Sequence, residues 1–124
     1  MKFPAICENH LFAKAYSKGK RYVTDRLAVY LLPDYAAKRL ARAHPEHKTV
    51  NRIGLTVSKR LGSAVVRNRT KRILREGLRA STETYPIKVG YLIVIAARER
   101  AITASSADIA GDLTRAFKKL ELRA

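Results

Sequence analysis

"RIGLTVSKRLGSAVVRNRTKRILRE", residues 52–76, changes its periodicity halfway. In the first part Ile53, Leu55 and Val57 alternate with Gly54, Thr56 and Ser58. Such alternation belongs to a strand, whose successive side chains point to opposite faces. The aliphatic face is core, and the small, polar face is expected to lie uncovered by a helix. From Val65 the period lengthens. Projected at about 100° per residue as far as Ala80, Val66, Thr70, Ile73, Leu74 and Gly77 share one arc. Arg67, Lys71, Arg75 and Arg79 form an i, i+4 ladder on another arc. Asn68 and Arg72 lie beside that ladder, and Arg69 falls on its far flank near Glu76. The stretch predicts a strand, a turn and a helix with one core face and one cationic face.

The cationic face needs a reason. Half of residues 67–76 are basic, and Glu76 is the single acid, offering an i, i+4 partner to Arg72 alone. Solvated helix surfaces usually mix signs, and each unmatched like-charge pair costs a few tenths of a kcal/mol. Arriving phosphates offset that cost. Arginine outnumbers lysine here, which suits bidentate phosphate contacts. Lys59 and Arg60 precede the helix. Gly62 and Ser63 stand at its entrance, where free backbone N–H groups can also take a phosphate, although a plain turn explains Gly62 equally well.

The whole chain supports an anionic partner. Its 124 residues carry 26 Lys and Arg against 10 acids, a formal +16. Nucleic acid is the first expectation from such a balance and an anionic membrane surface the second. The length predicts one domain over residues 1–124, and the 47% apolar share is enough for a core. Cys7 is the one cysteine. It can form no internal disulfide, reads as a small semi-buried residue, and fits a reducing, cytoplasmic setting. "MKFPAICENH" has no apolar h-region, so no signal peptide is expected. The longest apolar run, Tyr91 to Ala97, is far short of the roughly 20 residues of a membrane span.

Elsewhere, "ENHLFAKAYSKGK" (8–20) predicts a helix capped by Asn9 and closed by Gly19, with Leu11, Phe12, Ala15 and Tyr16 on one side. "RLAVYLLP" (26–33) predicts a strand that Pro33 ends. "AAKRLARA" can form a turn or two of helix before Pro45. "GYLIVIAARE" (90–99) is apolar on both faces, which marks a strand buried on both sides. "SSADIAGDLTRAFKKLELR" predicts a final helix. Ser105 and Asp108 resemble a capping box, and Ile109, Leu113, Ala116, Phe117 and Leu120 recur at helical spacing. The order is helix, two or three strands, helix, strand, helix, with one sheet carrying helices mainly on one face.

The opening stretch, with its "RNR" and following "KRILRE", resembles the signature of the bacterial ribonuclease P protein component. "HLFAKAYSKGKR" is similar to that family's first helix, "RLAVYLL" to its next strand and "GYLIVIAARERA" to its last strand, and the C-terminal helix also fits. The resemblance implies an α+β two-layer sandwich of order αβββαβα. Its mixed sheet has a left-handed β-α-β crossover, as in the second domain of a small-subunit ribosomal protein. It implies binding to the catalytic RNA of ribonuclease P and to the single-stranded 5′ leader of precursor tRNA. The RNA performs the hydrolysis with Mg²⁺, and the protein aids substrate binding and metal affinity. By position, Arg67, Asn68, Arg69, Lys71, Arg72 and Arg75 are implied for the catalytic RNA. Phe12, Tyr16, Tyr30, Thr56 and Ser58, with Lys59 and Arg60 close by, are implied for the leader cleft between the first helix and the sheet. An aromatic on an open, polar sheet face is a base-stacking platform, while Phe12 and Tyr16 also suit packing of the helix onto the sheet. The chain departs from the family in two places. Its N-terminal stretch has only Lys2 where many members are basic, and the loop carrying Lys38, Arg39 and Arg42 is longer than usual.

Sites for protein-borne chemistry are scarce in the sequence. "HPEH" brings His44, Glu46 and His47 together, but a proline-bearing loop is a poor frame for zinc. The acids do not cluster as a protein nuclease would need to hold Mg²⁺. No Ser/His/Asp or Cys/His arrangement is evident. The alternative reading is a non-catalytic RNA-binding protein of the ribosomal type. A DNA-binding helix would need base readers from Asn68 and the arginines. A membrane-surface helix would need a larger apolar arc than this one has.

Overall fold

The computed structural model describes residues 9–34 and 51–123. Four strands and three helices follow the order α1 (Asn9–Lys18), β1 (Lys20–Val23), β2 (Leu27–Pro33), β3 (Arg52–Thr56), α2 (Ala64–Thr84), β4 (Tyr91–Ala97) and α3 (Ser106–Lys119). Single 3₁₀ turns at Lys59–Leu61 and Glu99–Ala101 follow β3 and β4. The sheet order is β1-β2-β4-β3. β1 and β2 are antiparallel, as are β2 and β4, while β3 and β4 are parallel. The chain passes from β3 through α2 to β4, so the sheet is mixed and holds one β-α-β unit.

β4 is central, as its two-faced apolar run requires: Leu92, Ile93, Val94 and Ile95 are all buried. Its alternate side chains feed two cores. Ile93 and Ile95 join Leu27, Val29, Leu31 and Ile53 beneath α2 and α3. Leu92 and Val94 join Leu32 and Ala15 beneath α1, with Leu11, Phe12 and Tyr30 packed around them. Two helices thus cover one face and one helix the other.

Several local expectations shift for identifiable reasons. The first helix stops at Lys18, closed by Gly19 as expected, while Lys20, not expected in a strand, opens β1. Gly19 makes the turn, its N–H reaching the carbonyl of Ala15 at 2.9 Å. A Cβ there would lie 2.5 Å from that oxygen and 2.9 Å from the carbonyl of Leu31, so only glycine lets α1 end this close to β2. α2 runs a turn beyond Ala80 through "STET", of which Ser81, Thr82 and Thr84 are poor helix formers. Tertiary contact accounts for the extension: Ser81 Oγ meets Thr114 Oγ1 of α3 at 2.8 Å, and Thr82 is buried with its hydroxyl on the Leu78 carbonyl. Cys7 and the segment with "AAKRLARA", Lys38, Arg39, Arg42 and "HPEH" lie outside the described residues.

Where α2 crosses α3 it relies on Gly77. A Cβ on Gly77 would sit 2.6 Å from Ile109 Cγ2 and 3.0 Å from the Ala110 nitrogen. Gly77→Ala is therefore expected to destabilise the fold by about 1–3 kcal/mol, because helix backbone cannot move aside as a flexible side chain can. A denaturant midpoint equal to wild type would show that the two helices are free to separate.

α3 starts with a capping box. The Ser105 N–H donates to Asp108 Oδ2 at 3.1 Å, and the Asp108 N–H donates to Ser105 Oγ at 3.2 Å. The backbone bond from Ser105, then its side-chain bond, hold the Asp108 carboxyl below its ordinary 3.8, with Arg26 helping. The lowered folded value means that the unfolded chain binds this proton more readily. The stabilisation is then complete above about pH 5 and is lost as pH falls through the folded value. Melting points of wild type and Asp108→Ala should differ by a constant amount near neutral pH and converge as pH falls through the lowered folded value of Asp108. A gap that persists in acid would assign the effect to the aliphatic part of the helix turn.

A second acid on α3 is buried. Asp112 is 1% exposed and accepts from Thr24 Oγ1 at 3.1 Å, from Arg26 Nη1 at 3.2 Å and from Arg115. The Thr24 hydroxyl also accepts from the N–H groups of Arg26 and Leu27. This network ties the β1–β2 turn to α3, and a carboxylate so placed is tolerable only because every neighbour donates to it.

Candidate nucleic-acid interface

α2 presents its faces as the sequence predicts. Thr70, Leu74, Gly77 and Leu78 are buried, and Val66 and Ile73 are half-buried beside them. Asn68, Arg69, Arg72, Arg75 and Arg79 are exposed, while Arg67 and Lys71 are half-buried. Among the described residues, the ion pairs are Arg26 with Asp108 and Asp112, Arg52 with Asp34, and Arg115 with Asp112. None involves the ladder, and Glu76 does not pair with Arg72. Arg69 leans toward the turn after β4, its Nη1 3.4 Å from the Ile102 carbonyl. The Nε of Arg67 is shut off from solvent with no hydrogen-bond partner. A buried donor left unmade costs about 1–3 kcal/mol, so this helix carries both uncompensated charge and one unsatisfied guanidinium N–H.

The second set of candidates meets beside α1. This helix lies over β2 and β4 and leaves the same face of β3 open. Tyr16 spans the gap: its hydroxyl is 3.2 Å from Thr56 Oγ1 on β3. Its ring meets that of Tyr30 on β2 edge-on, with centroids 4.8 Å apart and planes at 89°. Tyr16 is 43% exposed, whereas Phe12, one turn earlier, is half-buried against Leu32, Leu92 and Val94. Tyr16, Tyr30 and Thr56 therefore form one wall, and Phe12 supports it from the core side.

Beyond Thr56 the strand ends at a cationic turn. Ser58 caps it, its hydroxyl accepting from the Arg60 N–H at 3.4 Å, and Ser58, Lys59 and Arg60 are all exposed. Gly62 closes the turn with φ 152° and ψ −172°, a region open essentially to glycine alone. Ser63 then accepts from the Val66 N–H and starts α2. The tyrosine-lined cleft and the arginine ladder are joined by this turn.

Arg98 and Arg100 are functional candidates that the sequence reading missed. With Arg60, Leu61, Asp25 and Glu99 they line an open pocket of about 590 Å³. The signal was available: parallel β3 and β4 must end on the same side, so cations following both strands converge there. Among the described residues no three His, Cys, Asp or Glu side chains come together to hold a metal. These residues thus offer no carboxylate cage for Mg²⁺. No helix among them is long and apolar enough to cross a membrane.

A family model described as ribonuclease P matches residues 2–121. The chain belongs to the ribonuclease P protein family. It is 33% identical over 115 residues to the ribonuclease P protein component of Alkaliphilus oremlandii, covering 93% of this chain and 89% of that one. It is 31% identical over 117 residues to that of Clostridium kluyveri, covering 94% of each. The solved ribonuclease P protein of Staphylococcus aureus superposes with a TM-score of 0.71 at 26% identity, over 99% of this chain and 100% of that one. That of Thermotoga maritima, at 19% identity and a TM-score of 0.70 over 93% and 96% of the two chains, shares the fold. The α+β architecture is thus that of ribonuclease P proteins.

Proposed function

We propose that this chain serves as the protein component of a cytoplasmic bacterial ribonuclease P, binding the catalytic RNA and the 5′ leader of precursor tRNA. The observation that carries this reading is the junction at Ser58–Ser63, where an open aromatic cleft runs into an unmatched arginine face. Arg67, Asn68, Arg69, Lys71, Arg72 and Arg75 take phosphates of the catalytic RNA. The leader lies over Tyr16, Tyr30, Thr56 and Ser58, with Phe12 backing them and Lys59 and Arg60 on its phosphates. Bases stack on aromatic faces without regard to sequence, which suits a subunit that serves many precursors. Mg²⁺ is assigned mainly to the RNA. The protein's residues do not attack the phosphodiester; they hold the leader and lower the repulsion between two polyanions.

Cleavage of precursor tRNA by a bacterial ribonuclease P RNA at low Mg²⁺, with and without this protein, tests the reading. Strong stimulation that depends on an intact leader is expected. Tight RNA binding without stimulation would favour a ribosomal-type RNA-binding role.

A further inference from the structure

The lysines at the opposite end of the sheet take no part in that site. Lys14, Lys18, Lys20 and Lys88, with Tyr91 and Glu121, line an open pocket of about 620 Å³. Lys18, Lys20 and Lys88 thus stand around a rim whose lining has one acid, Glu121. Lys18 sits in the last turn of α1, where the helix dipole favours a cation. Lys20 and Lys88 have no such reason, since one opens a strand and the other precedes one.

The backbone holding these side chains is fixed from several directions. The Lys88 N–H donates to the Leu122 carbonyl at 2.6 Å. The Lys88 carbonyl accepts from Asn51 Nδ2 at 2.8 Å, and Asn51 Oδ1 accepts from the Tyr91 N–H at 2.9 Å. Asn51 is 2% exposed. Lys20 is in register with Leu31, and Lys18 and Lys20 flank the Gly19 turn that is pressed against β2. Glu121 lies at φ 59°, a left-handed conformation where glycine is usual at the end of a helix. Leu122 N–H to Phe117 carbonyl at 2.8 Å and Glu121 N–H to Lys118 carbonyl at 3.2 Å complete that helix ending. The cations therefore stand on a preformed rim and not on a loose surface.

We propose that this pocket is a second RNA-binding face, which takes backbone phosphates of the catalytic RNA. The proposal rests on the ribonuclease P reading above. Lysine ammonium groups, as strongly hydrated point charges, suit phosphates without base selection. The leader is not the occupant, for a geometric reason. Phe12 and Tyr16 are offset by two residues from Lys14 and Lys18, about 200° around α1. The helix therefore stands between the cleft on the β3 side and the pocket on the β1 side. The pocket also lies a whole strand from Lys59 and Arg60, about 20 Å for the length of β4. A folded RNA large enough to cover α2 can reach round to it, whereas a few leader nucleotides cannot.

The test compares wild type with Lys18→Glu, Lys20→Glu and Lys88→Glu combined. Affinity for ribonuclease P RNA alone is titrated at several salt concentrations. The assembled holoenzyme is then titrated with precursor and mature tRNA. The expected result is a salt slope shallower by about 3 and an affinity lower by at least about tenfold. The preference for leader-bearing precursor should be unchanged. Unchanged RNA affinity, or a loss confined to leader-bearing precursor, overturns the second face. Arg72→Glu with Arg75→Glu runs in parallel. If that pair loses affinity and the lysine variant does not, this inference alone fails; if neither does, the ribonuclease P reading fails with it. Should circular dichroism show the lysine variant unfolded, Glu121→Asn replaces it. Asparagine tolerates positive φ, and loss of the one acid should tighten RNA binding about two- to fivefold. Unchanged binding by that variant overturns the proposal.

Discussion

Replacing Arg72 and Arg75 with glutamate is expected to lower affinity for the catalytic RNA by about 100-fold or more near physiological salt. Both side chains are exposed and neither has an ion-pair partner among the described residues. Each reversal removes a phosphate contact and puts a repelling charge in its place. The salt dependence should flatten by about 2, since fewer counterions are released. The fold should survive, because α2 is held by Leu74, Leu78 and Gly77 on its other side. Far-UV circular dichroism and the thermal midpoint are the controls. Intact RNA affinity in a folded variant would remove the α2 face from the interface. Arg67 is a poorer choice for such a test: it is half-buried, so its loss would mix packing with charge.

Tyr30→Ala carries the second large effect. The substitution removes one ring of the Tyr16–Tyr30 pair and leaves Tyr16 its hydroxyl contact with Thr56. Base–aromatic stacking is worth about 1–3 kcal/mol per base, so leader-bearing precursor should bind the holoenzyme about 10- to 100-fold more weakly. Mature tRNA, which has no leader, should bind as before. Tyr16→Phe separates the two roles of Tyr16, since it keeps the ring and drops the hydroxyl. A loss of only a few-fold is expected there, in line with one exposed hydrogen bond of about 1 kcal/mol. Equal weakening of precursor and mature tRNA by Tyr30→Ala would take the leader out of this cleft.

How far the residues alone reach can be judged element by element. The period of 2 at Ile53–Ser58, the period of 3.6 across α2 and the two-faced run of β4 are local patterns, and each appears where expected. The capping box of α3 is equally local, because its two partners lie three residues apart. The charge imbalance and the arginine ladder were legible for the same reason. β1 was missed. "KRYV" is four residues long, mostly exposed, and exists as an edge strand because β2 is beside it, and pairing of that kind leaves no local trace.

Cleft geometry depended on where α1 came to rest. Phe12 and Tyr16 share a helical stripe in the sequence, yet one is packed into the core and the other meets solvent, Tyr30 and Thr56. That division follows from α1 lying over β2 and β4 and stopping short of β3. The convergence of Arg60 with Arg98 and Arg100 needed the parallel pairing of β3 and β4. The buried Asp112 network, the Asn51 clamp and the lysine rim each join residues tens of positions apart. Sequence by itself determined the elements, their buried faces and the sign of the partner's charge, because hydrophobic period and net charge are properties of short stretches and of composition. Tertiary structure decided which charged and aromatic side chains share a surface, because strand order and helix placement are set by burial summed over the whole sheet.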